Sequence, residues 1–268
     1  MELEITTLIV LALVALVAGF IDSMAGGGGL ITIPALLAAG VPPTMALATN
    51  KLQSSFGSFA ATLYFLKRGM IDLASMKWAV ICTFVGSALG TLLVQQIDSS
   101  QLSRILPYLL VGFACYFLFS PRISDSDSHR RLSHNAFALL VGTGVGFYDG
   151  FFGPGTGSFF AMAFVALAGL GMAKATAHTK LLNFTSNMAS LLFFIIGGKV
   201  LWTVGLTMAI GQILGARLGS RMVVAKGVKL IRPLLVTVSL VMCGRLLWQG
   251  HPEWFAWIGA GLKAVLPV

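Results

Sequence analysis

Long stretches of this chain contain no Asp, Glu, Lys or Arg, among them residues 5–21, 23–50, 78–97, 105–121, 150–173 and 181–198. A helix of about 20 apolar residues crosses the hydrocarbon core of a bilayer. A soluble fold would have to bury all these stretches and still present a polar surface. Only 10% of the residues are charged, against 57% apolar. The runs are continuous rather than alternating. That selects helices over a β-barrel, because lipid leaves every backbone N–H and C=O to be satisfied within the protein. The sequence therefore predicts an all-α membrane protein whose immediate partner is the lipid bilayer.

The net charge of +9 would raise nucleic acid as a partner for a soluble chain. Here no basic patch is interleaved with aromatics, and basic residues collect in cytoplasmic loops, so no nucleic-acid partner is expected. Cys82, Cys115 and Cys243 each sit in apolar sequence without a Cys-x-x-Cys pair. They read as small packing residues, not as disulfide, zinc or haem ligands, and no cofactor is expected. The acidic start Met1-Glu2-Leu3-Glu4 lacks a basic signal-peptide n-region. The first apolar segment is expected to stay as a helix.

The chain also repeats itself. Gly19-Phe20-Ile21-Asp22 followed by Gly26 to Gly29 returns as Gly146-Phe147-Tyr148-Asp149 followed by Gly153-Pro154-Gly155-Thr156-Gly157, at an offset of 127. Ala46-Leu47-Ala48-Thr49-Asn50-Lys51-Leu52, closing at Gly69, returns as Ala175-Thr176-Ala177-His178-Thr179-Lys180-Leu181, closing at Gly198, at an offset of 129. Gly86-x-x-x-Gly90 matches Gly211-x-x-x-Gly215, and Pro107 matches Pro233. Such steady offsets mark a duplication.

Each half divides into five apolar segments: 5–22, 29–41, 43–66, 75–97 and 104–120, then 134–149, 156–170, 173–197, 202–223 and 230–248. The organisation is thus a first repeat (1–120), a polar linker (121–133), a second repeat (134–250) and a terminal piece (251–268). The terminal piece carries Trp254, Trp257 and Lys263 and reads as an interfacial or short membrane segment. The second segment of each half is short for a span, which predicts broken, tilted or re-entrant helices at the glycine-rich turns. With the loop at Lys67, Arg68 and Lys77 inside, the linker (Arg122, Arg130, Arg131), Lys174 and the cluster Arg217, Arg221, Lys226, Lys229 and Arg232 also fall inside. The N-terminus is then outside. Five segments per half is an odd number, so the halves are expected to be inverted, a recurring design of secondary transporters.

Lys51 and Lys180 are ionisable groups inside apolar segments at equivalent positions. Such groups mark function by default, although snorkelling or ion pairing also holds lysines at helix ends. Thr49, Asn50 and Ser54 accompany Lys51; His178, Thr179, Asn183 and Asn187 accompany Lys180. Helical spacing places Lys180, Asn183 and Asn187 on one face. Gly28, Gly29, Gly155 and Thr156 open the segments after the turns, where free N–H groups and the helix dipole favour an anion. Asp22 and Asp149 either cap those half-helices or exchange protons with a transport path. His178 stands where the first half has Thr49. No nucleophile elbow, metal-ligand cluster or paired acid–base carboxylates are present, so an enzyme and a metal site are not expected.

These passages resemble the TauE/SafE family of sulfite exporters. GFIDSMAGGGGLITIPALLAAGVPP, ATNKLQSSFGS and LKRGMIDL carry the likeness in the first half, and GFYDGFFGPGTGSFF, AHTKLLNFTSN and IIGGKV in the second. The resemblance implies an integral inner-membrane carrier of small sulfur-containing anions, with sulfite export by alternating access as the leading reading. It also implies a binding region around Lys51 and Lys180. Thiosulfate, sulfonates and other small organic anions remain open as substrates. A non-transporting assembly protein is the rival, and the small-residue faces leave a homodimer open. A cavity lined by lysines favours transport; lysines paired with Asp22 or Asp149 in a closed core favour the rival.

Overall fold

The computed structural model describes residues 3–119 and 127–226. The predicted segment 230–248, the terminal piece 251–268, Pro233, Cys243, the start of the linker and the side chain of Cys115 lie outside the described residues. Among the described residues every regular element is helical. The first half consists of α1 (Ile5–Ala25), α2 (Gly29–Ala38), α3 (Pro43–Leu66), α4 (Leu73–Val94) and α5 (Ser99–Phe119). In the second half, α6 (His134–Phe137), a π-helical turn (Ala138–Gly142) and α7 (Thr143–Phe151) follow one another directly. Then come α8 (Thr156–Ala166), α9 (Met172–Ile196) and α10 (Trp202–Lys226).

α1, α4 and α9 are long and apolar enough to cross a bilayer. The outer faces of α1 (Ile9, Leu13), α4 (Trp78, Ile81, Leu89) and α10 (Ile210, Leu214, Leu218) leave large apolar side chains uncovered. Such continuous apolar faces belong in lipid. The chain is a multi-pass membrane protein. α2 and α8, at 10 and 11 residues, reach only about 15 Å at 1.5 Å per residue. They are the short second segments expected from the sequence.

Local chemistry sets the helix ends. α1 stops at Gly26 (φ 72), whose N–H donates to the Asp22 carbonyl. Its repeat equivalent Gly153 (φ 96) follows α7. A side chain is disfavoured at both angles, so glycine is what lets the chain break there. α3 starts with Pro43, whose missing N–H costs nothing in the first turn. α3 and α9 end alike: Met70 N–H donates to the Phe65 carbonyl and Lys199 N–H to the Phe194 carbonyl, closing the same C-terminal motif over Gly69 and Gly198.

The two halves pack reciprocally. α1 lies along α10, α4 lies along α7, and α3 lies against α9. A Cβ on Gly86 would strike the Thr143 carbonyl, and one on Gly90 the Phe147 carbonyl. A Cβ on Gly215 would strike the Leu16 carbonyl, and one on Gly219 the Phe20 carbonyl. Leu16 and Thr143, like Phe20 and Phe147, are repeat equivalents at the offset of 127. Gly86 and Gly90 therefore correspond to Gly215 and Gly219, one helical turn beyond the Gly211–Gly215 match made from spacing. Gly211, Gly215 and Gly219 share one spacing, so spacing alone cannot choose between the two registers. Backbone-to-backbone packing chooses. The close approach seats α4 and α10 on the broken helices, and the polar faces of α3 and α9 are left facing each other at the centre.

Candidate functional site

The centre of the molecule holds the two chain breaks and the two lysines. Asp22, in the last turns of α1, turns its carboxylate across the break. Its Oδ1 accepts the N–H groups of Gly27 and Gly28, each at 3.1 Å. Lys180 arrives from α9 of the other half. Its ammonium donates to the Asp22 carbonyl and lies 3.2 Å from Asp22 Oδ2. The second half answers in kind. Lys51 of α3 donates to the Asp149 carbonyl at 2.5 Å and lies 2.9 Å from Asp149 Oδ2. Each lysine thus sits at the C-terminal end of the other half's broken helix. There it meets the negative end of the helix dipole and a carboxylate together.

These pairs are buried unequally. The side chains of Lys51 and Asp149 are 2% and 4% exposed; those of Lys180 and Asp22 are 1% and 24% exposed. Buried ions persist only when paired and hydrogen-bonded. Each half therefore relies on the other to neutralise its break.

Beside the pairs lies a polar cavity of about 20 Å³, counted as room for the centres of water molecules. That is space for a water or two. From the first half it is lined by Asp22, Gly29, Asn50 and Ser54. From the second half it is lined by Asp149, Gly153, Gly155, Thr156, Gly157, Asn183 and Asn187. Asn50 Oδ1 is saturated by donors: Thr32 Oγ1 at 2.6 Å, Gln53 Nε2 at 2.7 Å and Ser54 Oγ at 3.4 Å. Its oxygen is thereby fixed, and its amide nitrogen is left toward Gly29, 3.7 Å from where a Cβ would stand. Asn183 Nδ2 lies 2.9 Å from the corresponding point on Gly157. The glycines that open the short helices make room for an amide NH₂ from α3 and another from α9. An NH₂ group can only donate, so the cavity wall offers donors on both sides.

Other residues expected at the site take different places. Thr49 Oγ1 accepts the N–H of Leu201 at 3.2 Å, and His178 Nε2 accepts the N–H of Asp72 at 3.4 Å. Leu201 and Asp72 are themselves repeat equivalents just before α10 and α4. The Thr49/His178 difference is thus two side chains in one structural role, tying the third helix of each half to the start of the other half's fourth. Accepting that N–H places the imidazole proton on Nδ1, which faces the Lys174 carbonyl at 2.8 Å. Thr179 is buried, and its hydroxyl has no hydrogen-bond partner among the described residues. Gly28 serves as a donor to Asp22. Lys51 and Lys180 back the cavity through their aspartates instead of lining it. The two arrangements left open by the sequence are therefore combined: the lysines are paired, and the cavity beside them is polar.

Three participants were not named as site residues from sequence. Gly153 and Gly157 line the cavity. Ser158 links the halves: its N–H donates to the Gly26 carbonyl at 3.1 Å, and its hydroxyl reaches the carbonyls of Ala25 and Gly26 at 2.5 and 2.7 Å. The glycines stood in plain view in the second turn. Ser158 had no sequence signal, since its equivalent Ile31 is apolar. Outside the membrane segments, Asp72 caps α4 by accepting from the N–H groups of Ala74 and Ser75. The Ser75 side chain, followed by the backbone donors, holds its carboxyl below the usual carboxylate range.

Residues 11–246 match the family model for sulfite exporter TauE/SafE. The chain belongs to this family. It is 55% identical over 251 residues to the probable membrane transporter protein YfcA of Escherichia coli (strain K12), covering 93% of each chain. It is 51% identical over 256 residues to a probable membrane transporter protein of Haemophilus influenzae, covering 95% of this chain and 99% of that one. The probable membrane transporter protein YunE of Bacillus subtilis is 23% identical over 267 residues, covering 90% and 98%. No solved structure matches. As a TauE/SafE protein the chain is a membrane transporter, and the paired, polar centre is the part of it that differs from an ordinary apolar bundle.

Proposed function

We propose that this TauE/SafE protein is a secondary carrier of small sulfur-containing anions, sulfite foremost, working as an exporter in the inner membrane by alternating access. The observation that carries the reading is the cavity wall. The amides of Asn50 and Asn183 meet the glycine-opened starts of α2 and α8, with Lys51 and Lys180 one ion pair behind. Helix N-termini and amide donors suit an oxyanion. A cavity that holds a water or two is too small for sulfite, so the site must open to load. The reciprocal seams suit a rocking of one half against the other around a fixed site, the behaviour of inverted-repeat carriers. In this reading the halves are inverted, and the linker and the basic end of α10 face the cytoplasm. An inside-negative potential of 100 mV then favours exit of each negative charge by about 2.3 kcal/mol.

The test is ³⁵S-sulfite flux in proteoliposomes. Lys51→Ala, Lys180→Ala and Asn50→Leu should each reduce it to the protein-free rate, with insertion checked by protease mapping. Normal flux in all three removes the site assignment. Flux of carboxylates, with none of sulfite, thiosulfate or sulfonates, replaces the substrate class.

A further inference from the structure

The two aspartates of the site are held by opposite kinds of donor. Asp22 Oδ1 accepts two backbone N–H groups, from Gly27 and Gly28. A backbone N–H can only donate, so neither of these bonds could turn round to accept a hydrogen carried on Oδ1. In the second half the equivalent of Gly27 is Pro154, which has no N–H. Asp149 Oδ1 instead accepts the hydroxyl of Thr156 at 2.7 Å, and the same hydroxyl lies 2.6 Å from the Gly153 carbonyl. One hydrogen thus has two acceptors within reach. Asp149 Oδ2 is buried and, among the described residues, has no donor aligned on it as a hydrogen bond. Its only close cation among the described residues is Lys51, whose ammonium is bonded to the Asp149 carbonyl.

We propose that Asp149 is the proton-binding group of the carrier and Thr156 its switch, so that the anion and one proton occupy the site together. This rests on the anion-carrier reading above. When Asp149 takes a proton, the Thr156 hydroxyl turns its hydrogen to the Gly153 carbonyl and accepts the new carboxyl hydrogen, with no bond lost. Lys51 then faces a neutral carboxyl, and its charge is available to the anion in the cavity. The proton that arrives with the anion offsets one of its negative charges. Asp22 remains ionised as the fixed partner of Lys180. The charged or titratable groups facing Asp149 are few. Lys51 comes from α3. Asp22, with its partner Lys180 of α9, lies across the cavity. α8 presents only the Thr156 hydroxyl, and α4 presents Thr91, bonded to the Gly150 carbonyl. Tyr148 precedes Asp149 on α7, and its hydroxyl donates to the Pro154 carbonyl.

The experiment adds sulfite to the full chain in weakly buffered detergent, from a stock titrated to the same pH, while a dye reports proton uptake. Wild type should take up about one proton per sulfite bound at alkaline pH. Asp149→Asn should take up about one proton fewer per sulfite bound. Relative to that variant, in which the anion's own protonation cancels, wild-type sulfite affinity should fall about tenfold per pH unit on the alkaline side. Thr156→Ser should keep the wild-type pH profile, and Thr156→Val should shift it. Wild-type protein that binds sulfite without proton uptake overturns the proposal, with no variant required. So does uptake in Asp149→Asn equal to that of wild type. Wild-type protein that neither binds nor carries sulfite removes the sulfite-carrier reading instead, so the two failures are distinguishable.

Discussion

The break after α1 and the break after α7 descend from one sequence pattern, yet they hold their aspartates differently. At the first, Asp22 is partly open, takes two N–H donors and faces Lys180. At the second, Asp149 is closed in, takes one reversible hydroxyl and faces Lys51. Duplication supplied two interchangeable charge pairs, and a glycine-to-proline difference together with Thr156 at the start of α8 made them unequal. A pair fixed by one-way donors is a structural clamp. A pair fixed by a donor that can also accept is able to change state.

The strongest way to break this comparison is to remove the cations. Lys51→Ala leaves the buried Asp149 carboxylate without its counter-charge and should cost about 3–5 kcal/mol of stability. Lys180→Ala should cost less, because solvent reaches Asp22 and screens it. Thermal melting in detergent measures both, and equal losses would erase the asymmetry. Next come the helix seams. Gly86→Ala and Gly215→Ala each push a methyl group into an opposing carbonyl and should lose similar stability, about 1–3 kcal/mol. Gly144→Ala, with nothing within 4 Å of its Cβ position, is the near-neutral control. Unequal seam losses would argue against the corrected register.

Pro154→Gly sharpens the comparison more directly. It returns an N–H at the position where Gly27 serves Asp22, so the charged form of Asp149 gains a donor. The proton-linked part of the sulfite-binding profile should then move toward acid. An unmoved profile would mean that the missing N–H does not set the difference. The smallest effect belongs to the starts of the fourth helices. α4 has the Asp72 cap, whereas the equivalent position before α10 is Leu201. The Asp72 carboxyl lies below its unfolded-state value, so its contribution is complete above the ordinary carboxylate range and is lost as pH falls through the lowered value. The change in melting between about pH 3 and pH 7 should be slightly smaller in Asp72→Asn than in wild type.

Much of the architecture was readable in the residues. Uncharged runs gave the helices to within a few residues, because a charge is expensive in lipid and a glycine at positive φ ends a helix wherever it stands. The repeat gave the equivalence of Lys51 with Lys180 and of Asp22 with Asp149, and it singled out the two polar helices that meet at the centre. What could not be read was the partner of each lysine. The pattern Lys51–Asp149 and Lys180–Asp22 crosses the halves, over separations that no local spacing encodes. The roles of Thr49 and His178 escaped for the same reason: each answers an N–H at the start of another helix.

By itself, then, the sequence determined an all-helical membrane protein with an internally repeated pattern and matching charged residues near its glycine-rich turns. Those properties follow from hydrophobic length, backbone angle and internal likeness, all of them local. The tertiary structure decided that each half neutralises the other's break, and that Gly86 answers Gly215. It also decided that Asp149 alone rests on a hydroxyl able to turn. These are consequences of which backbone meets which, and close packing between distant segments settles that only once the chain has folded.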